Sequence, residues 1–183
     1  MGKALAEAAV GAGHEVVIVS GPVEVNYPEQ AQVIPVISTE EMLAACRAEM
    51  VRCDGAIGVA APCDYRPLVV AQQKIAKTGA PLELLLIETP DVIATLGQEK
   101  GGRWVVGFAL ETEDHRFRAI VKAERKSCDL MVLNSPSAMH SPDTEVEVLA
   151  ASGDLVGTFR GPKGLVAAQI FAIIQQRFIA PRD

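Results

Sequence analysis

The chain has 183 residues, of which 49% are hydrophobic, 22% charged and 4% aromatic, with a formal net charge of −6. A chain of this length folds as one domain that buries about 70% of its unfolded surface, and the composition excludes a disordered polymer. The acidic balance excludes a broad duplex nucleic-acid surface, which needs a face of Lys and Arg, but a few local lysines still suffice for a small anionic ligand.

Residues 3–12 (KALAEAAVGA) predict a helix broken by Gly13, and HEVVIVSG predicts a short buried strand ending in a Gly-Pro turn. AQVIPVI is a weaker strand, expected at a sheet edge because Pro35 cannot donate a ladder hydrogen bond. Thr39 is the expected cap of a helix over 40–52 whose Met42, Leu43, Cys46 and Met50 share one face. GAIGVAA follows as a strand, small and apolar on both sides, which suits a sheet covered on both faces. It ends in AAPCDYRP, where Pro62 and Pro67 bracket Cys63, Asp64, Tyr65 and Arg66, and a polar, lysine-bearing segment then runs to Pro81.

LELLLIE predicts a strand and TPDVIATLGQ a helix, with Thr89 at the cap, Pro90 at the first helical position and Asp91 in the first turn. RWVVGFAL predicts another strand, residues 113–127 a helix, and DLMVL a buried strand. TEVEVLAASGDLVGTFR alternates as a hairpin turning at Ser-Gly-Asp, and an amphipathic helix from Pro162 to Phe178 closes the chain. This alternation defines a single α/β domain over 1–183, mostly parallel in its sheet, with an antiparallel C-terminal hairpin at one edge.

Cys46, Cys53, Cys63 and Cys128 form no CxxC pair and stand far in sequence from His14, His115 and His140, so neutral thiols are expected and no metal site. No apolar stretch approaches the roughly 20 residues of a membrane span, and the start lacks the basic-then-apolar pattern of a secretory signal. No membrane partner is expected, and a reducing cytoplasm is the expected location. No GxGxxG follows a strand and opens a helix, which disfavours an NAD(P)-dependent oxidoreductase.

In folds of this class ligands gather beyond the carboxyl ends of the strands. Four places are expected to converge there: GAIGVAA leading into Asp64, the helix start in ETPDVI, the end of VVGFALET, and the helix carrying Lys122 and Lys126. Gly58 and Ala60 leave the backbone open to a flat ring, and the amides from Pro90 to Ile93 can meet an anion or carbonyl. Lys122 and Lys126, four apart, share a helical face. Lys74 and Lys77 in KIAKTG can ride on a mobile lid, where a lysine would offset developing phosphate charge. Plainer readings stand beside these. Asp64 can cap a turn or pair with Arg66, Lys122 and Lys126 can form a solvated face, and KIAKTG can be a surface loop. Phe108 can be core, and Thr89-Pro90-Asp91 only a helix cap.

The ordered set GHEVVIVSGPV, AAPCDYRP, QKIAKTG, ETPDVIATL, VVGFALET and KAERKSCDLMVLNS resembles phosphopantothenoylcysteine synthetase, the second module of the bifunctional bacterial coenzyme A biosynthesis protein, from about Lys3 to Phe178. The resemblance implies a modified Rossmann-like, three-layer ligase that uses CTP and Mg2+. Such an enzyme activates 4′-phosphopantothenate as an acyl-cytidylate with release of pyrophosphate, and the amine of L-cysteine then displaces CMP. By motif match, Gly58, Val59 and Ala60 would line the cytosine pocket with Asp64 nearby, and Pro90, Asp91, Val92 and Ile93 would give backbone contacts. Phe108, Lys122 and Lys126 would complete the CTP site, and Lys74 would be the catalytic lid lysine. The resemblance also implies a homodimer, formed partly through the segment after the lid, and phosphopantothenoylcysteine decarboxylase as a partner.

Departures from the pattern set the alternative. Family members begin with a strand and an Asn- and Ser-bearing loop, of which Gly2 and Lys3 are the counterpart here. That Asn is a family catalytic residue, so the alternative is an N-terminally truncated, inactive nucleotide-binding structural or regulatory module. The strand would be central, and its loss predicts neighbouring sheet edges unpaired or forced together. Pro62-Cys63 stands where Val-Ala is usual, Thr89 where Asn is usual, and LNS where a Val-Ala-Asn-Asp-like run is usual. With no flavin-binding module preceding it, a stand-alone synthetase or a fragment of the fused protein is expected.

Overall fold

The computed structural model describes residues 1–110, 115–134 and 143–179. Glu111, Thr112, residues 113–114, Ser135 and His140, which entered the reading above, lie outside the described residues.

Helix α1 (Gly2–Gly11) ends where Gly13 takes a left-handed φ of 85°, and the chain then enters β1 (Val17–Ser20). β2 (Gln32–Pro35) pairs with β1 in parallel, from Val17 against Gln32 to Ser20 against Pro35. Pro35 is tolerated because the Ser20 carbonyl takes its bond from Val36 N–H, at 2.9 Å. The cap of α2 (Thr39–Met50) is Ser38, not Thr39. Ser38 is the residue still extended (φ −107°, ψ 163°), and its hydroxyl accepts from Glu41 N–H while the Glu41 carboxylate accepts from Ser38 N–H.

β3 (Gly55–Gly58) leads to β4 (Tyr65–Pro67) and β5 (Leu86–Glu88), then α3 (Val92–Glu99), β6 (Trp104–Leu110), α4 (His115–Arg125) and β7 (Leu130–Asn134). β8 (Asp143–Ala150) and β9 (Leu155–Pro162) form the expected hairpin, with Gly153 at φ 87° in its turn. α5 (Lys163–Ile174) passes into a π-helical turn, Gln175–Ile179, so the last helix is regular only to Ile174.

The main sheet has the order β3-β6-β7-β8-β9, parallel through β7 and antiparallel after it. Its strands alternate between two cores. Val105, Ala109, Met131 and Leu133 pack with Leu43, Met50, Val92, Leu96, Ala119 and Ala123 from α2, α3 and α4. Val106, Leu130 and Val132 pack with Leu5, Val166, Ala167, Ile170 and Ile174 from α1 and α5. The unbroken apolar run of β7 follows from this, since a strand covered on both faces gains by burying every side chain.

Two features differ from a single continuous sheet. β1 and β2 form a separate parallel pair, and among the described residues neither β1 nor β3 has a second strand partner. The segment LELLLIE is a strand only at Leu86–Glu88, and it pairs antiparallel with β4 in a small ribbon outside the main sheet. Leu82, Leu84, Leu85 and Leu86 are more than half exposed, because no layer covers that ribbon.

Candidate functional site

The carboxyl ends of β3, β6 and β7 gather the candidate residues on two faces of the sheet. On the α3 face, a Cβ built on Gly58 would stand 2.1 Å from Ile93 Cδ1. The missing side chain therefore admits the first turn of α3 against the strand, and on this face Gly58 is closed by Ile93 rather than open to a ring. Asp91 is the cap of α3, displacing the expected cap at Thr89 and the expected helical position of Pro90. Its carboxylate accepts from Ala94 N–H at 3.0 Å. An extended residue whose short side chain reaches that third amide is what a cap requires.

Lys126 Nζ lies 3.0 Å from Asp91 Oδ2, and Arg125 stands 4.0 Å away. Burial raises the Asp91 pKa, but the Ala94 amide and then Lys126 and Arg125 outweigh it and hold the carboxyl below its usual value. The helix start thus carries its own anion, neutralised by a lysine that is only 24% exposed and no part of a solvated face. Lys126 lies just past the end of α4. Because α4 runs from the carboxyl end of β6 to the amino end of β7, Lys122 and Lys126 sit at its far end, and the Lys126 side chain reaches back to Asp91. Gly97 makes this crossing close: a Cβ there would stand 1.9 Å from the Lys126 carbonyl oxygen.

On the α1 and α5 face, Gly58 pairs with Gly107, which sets Val59 beside Phe108, and both pack on the core of that face. Asn134 ends β7 in register with Leu110, two residues beyond Val132, and so faces the same way as Phe108. Its Oδ1 is buried and, among the described residues, without a hydrogen-bond partner. Val59, Phe108 and Asn134 therefore make a shelf at the carboxyl rim, apolar at one end and with a free acceptor at the other. The sequence reading missed Asn134 as a site residue, although a lone amide closing an apolar run was a usable signal.

Thr89 ties the two stems of the ribbon together, its hydroxyl donating to the Cys63 carbonyl and its N–H to the Asp64 carbonyl. The Asp64 carboxylate is exposed and, among the described residues, unpartnered; Arg66 pairs with Glu40 instead. Ala60 is exposed. Lys74 lies on the fully exposed segment between β4 and β5, and among the described residues it makes no hydrogen bond or ion pair with Phe108, Asp91 or Lys126. Burial pushes the Cys46 and Cys128 thiols up to about 11, as inert core cysteines. A cavity of about 430 Å³ lined by Val51, Arg52, Cys53, Asp54, Gly102 and Arg103 lies at the other end of the sheet, before β3 and β6. There Arg103 donates to the Val51 and Lys100 carbonyls and holds the ends of α2 and α3, so we assign the chemistry to the carboxyl rim.

Residues 1–178 match the family described as DNA/pantothenate metabolism flavoprotein C-terminal domain. The chain is 41% identical over 138 residues to the coenzyme A biosynthesis bifunctional protein CoaBC of Haemophilus influenzae, covering 75% of this chain and 34% of that protein. It is 38% identical over 176 residues to a cysteine/cysteine sulfinic acid decarboxylase of an unknown prokaryotic organism, covering 93% of this chain and 49% of that one. The crystal structure of the C-terminal domain of a CoaBC protein superposes with a TM-score of 0.78 at 30% identity, over 96% of this chain and 80% of that chain. The chain thus spans between a third and a half of these curated relatives.

Proposed function

The chain belongs to the DNA/pantothenate metabolism flavoprotein C-terminal domain family, and we propose that it acts in coenzyme A biosynthesis as a ligase joining 4′-phosphopantothenate to L-cysteine with CTP. The observation that carries the nucleotide part is the shelf of Val59, Phe108 and Asn134. An apolar surface takes the face of a base, and a buried acceptor without a partner favours a ligand that brings an N–H, such as an exocyclic amine. CTP and ATP both carry that amine, and the proposal commits to CTP.

In the first step a carboxylate oxygen of 4′-phosphopantothenate attacks the α-phosphorus of CTP, and pyrophosphate leaves. In the second, the cysteine amine attacks the carbonyl of the acyl-cytidylate, loses a proton, and CMP leaves. Gly58, Val59 and Ala60 with Asp64 take the nucleoside side of this site, the turn Pro90, Asp91, Val92 and Ile93 borders it, and Phe108 completes it, with Lys122 reaching toward it from the last turn of α4. Lys126, already paired with Asp91, sets the position of that turn. Lys74, cationic and exposed, is the residue we assign to the phosphate and the activated carbonyl. Mg2+ belongs to the triphosphate in this scheme, since among the described residues no three His, Cys, Asp or Glu side chains cluster and the ion leans readily on phosphate oxygens.

We include in the proposal a homodimer joined through the exposed leucines of the ribbon segment, a phosphopantothenoylcysteine decarboxylase partner, and a cytoplasmic site of action. No described helix is long and apolar enough to cross a membrane. The second reading, a nucleotide-binding module without turnover, is favoured by the edges of β1 and β3 that are unpartnered among the described residues. Incubation with CTP, 4′-phosphopantothenate and cysteine separates the two. Release of pyrophosphate and CMP supports the ligase, and CTP binding by calorimetry without release supports the module.

A further inference from the structure

We propose that Arg66 is a positioning residue: its ion pair with Glu40 tethers the lysine-bearing arm, residues 68–85, to the first turn of α2. Within a single chain the arm needs such a tether. Residues 67–86 are all exposed, and the ribbon at its base has only the pairs Tyr65 with Glu88, Arg66 with Ile87 and Pro67 with Leu86. A two-stranded ribbon of this length is marginal by itself. Its other bonds stay within the ribbon or its stems: Leu68 N–H to the Leu85 carbonyl, Tyr65 hydroxyl to Glu88, and Thr89 to Cys63 and Asp64. Among the described residues, the side-chain link from the ribbon to a helix of the body is Arg66 Nε donating to Glu40 Oε1.

The partners are prepared for this role. Alternation along β4 puts Arg66 on the opposite face from Tyr65 and Pro67, toward α2. Glu41 supplies the capping box, which leaves Glu40 for another partner, and the helix dipole favours a carboxylate in the first turn. Arg66 also donates to the Pro67 carbonyl at 3.2 Å, which fixes its side chain along the strand. Both side chains remain about two-fifths exposed, at 43% and 42%, so the pair decides where the arm stands and contributes little to overall stability. Its consequence for Lys74 rests on the ligase reading; the tether itself does not.

The test is amide hydrogen exchange at short labelling times on the full chain, comparing wild type with Arg66→Met, Glu40→Gln and the charge swap Arg66→Glu/Glu40→Arg. Peptides covering 64–70 and 84–90 should exchange faster in each single variant, by up to about fivefold, in keeping with the small effect of a solvent-exposed pair. The swap should restore the wild-type rate, and β6 and β7 should not change in any variant. Unchanged exchange in both single variants, or a swap as fast as they are, would overturn the tether. In the ligase assay Arg66→Met should lower kcat with KM for CTP unchanged, and the swap should recover it. A wild-type protein with the expected exchange pattern and no pyrophosphate release would remove the ligase reading and leave the tether standing.

Discussion

Gly97→Ala should destabilise this protein even though alanine is the better helix former. Gly97 is buried in α3, and a Cβ there would stand 1.9 Å from the Lys126 carbonyl oxygen and 3.2 Å from that of Ser127. Helix propensity favours alanine by about 1 kcal/mol, while an extra methyl in a packed interior costs about 1–3 kcal/mol. The obstacle here is main chain rather than a movable side-chain tip. It is pinned by Lys126 N–H to the Lys122 carbonyl at 2.9 Å and by Lys100 Nζ to the Ser127 carbonyl at 2.8 Å. The cost therefore lies in the upper part of that range, about 2–3 kcal/mol, which leaves a net loss of about 1–2 kcal/mol and a fall of roughly 3–6 °C in Tm. Thermal and urea unfolding measure it, with Gly164→Ala as the internal control. Gly164 lies in the first turn of α5 with nothing within 4 Å of a built Cβ, so that change should leave stability equal or raise it by at most about 1 kcal/mol. A Gly97→Ala protein as stable as wild type would refute the close crossing of α3 and α4.

Asp91→Ala should lose about 1 kcal/mol as the cap of α3 goes, and Asp91→Asn, which keeps a capping oxygen but not the charge at a 39%-exposed site, should lose a few tenths at most. Because the folded Asp91 pKa lies below its unfolded one, the charge contribution is complete above the unfolded value. It disappears as pH falls through the folded value, so wild type and Asp91→Asn should converge in urea midpoint at strongly acidic pH. Lys74→Met, on an exposed arm, should leave Tm unchanged and reduce pyrophosphate release by about 10²-fold or more in the ligase assay; an unchanged rate would remove Lys74 from the chemistry. At pH 8 a thiol reagent should modify exposed Cys63 first. Cys46 and Cys128, pushed up to about 11, should react only on unfolding, which mass spectrometry of the modified peptides would check.

Much of this molecule was legible in its sequence because the signals are local. The two-sided apolar runs of β6 and β7, the alternating hairpin of β8 and β9 and the amphipathic α2 carry their periodicity within a few residues, and each element lies where that periodicity puts it. The caps were legible only to within a residue or two. Ser38 and Thr39, or Thr89 and Asp91, are chemically equal candidates, and the choice depends on which residue the backbone leaves extended.

The site was legible as a set of segments and not as an arrangement. Asp91, Gly58, Phe108 and Lys126 were all named from the chain, yet periodicity does not say that Ile93 fills the space at Gly58 or that Lys126 returns to Asp91. The apolar LELLLIE read as a strand along its whole length, but only Leu86–Glu88 pairs, because hydrophobicity alone does not reveal whether anything covers or pairs with it. Likewise Arg66 could pair with Asp64, its neighbour in sequence, but the fold gives it Glu40, 26 residues away. Local patterning selects the elements through hydrogen bonding and alternation along the chain. Which side chains then meet depends on how the layers stack, and only the packed tertiary structure brings residues distant in sequence to within bonding distance.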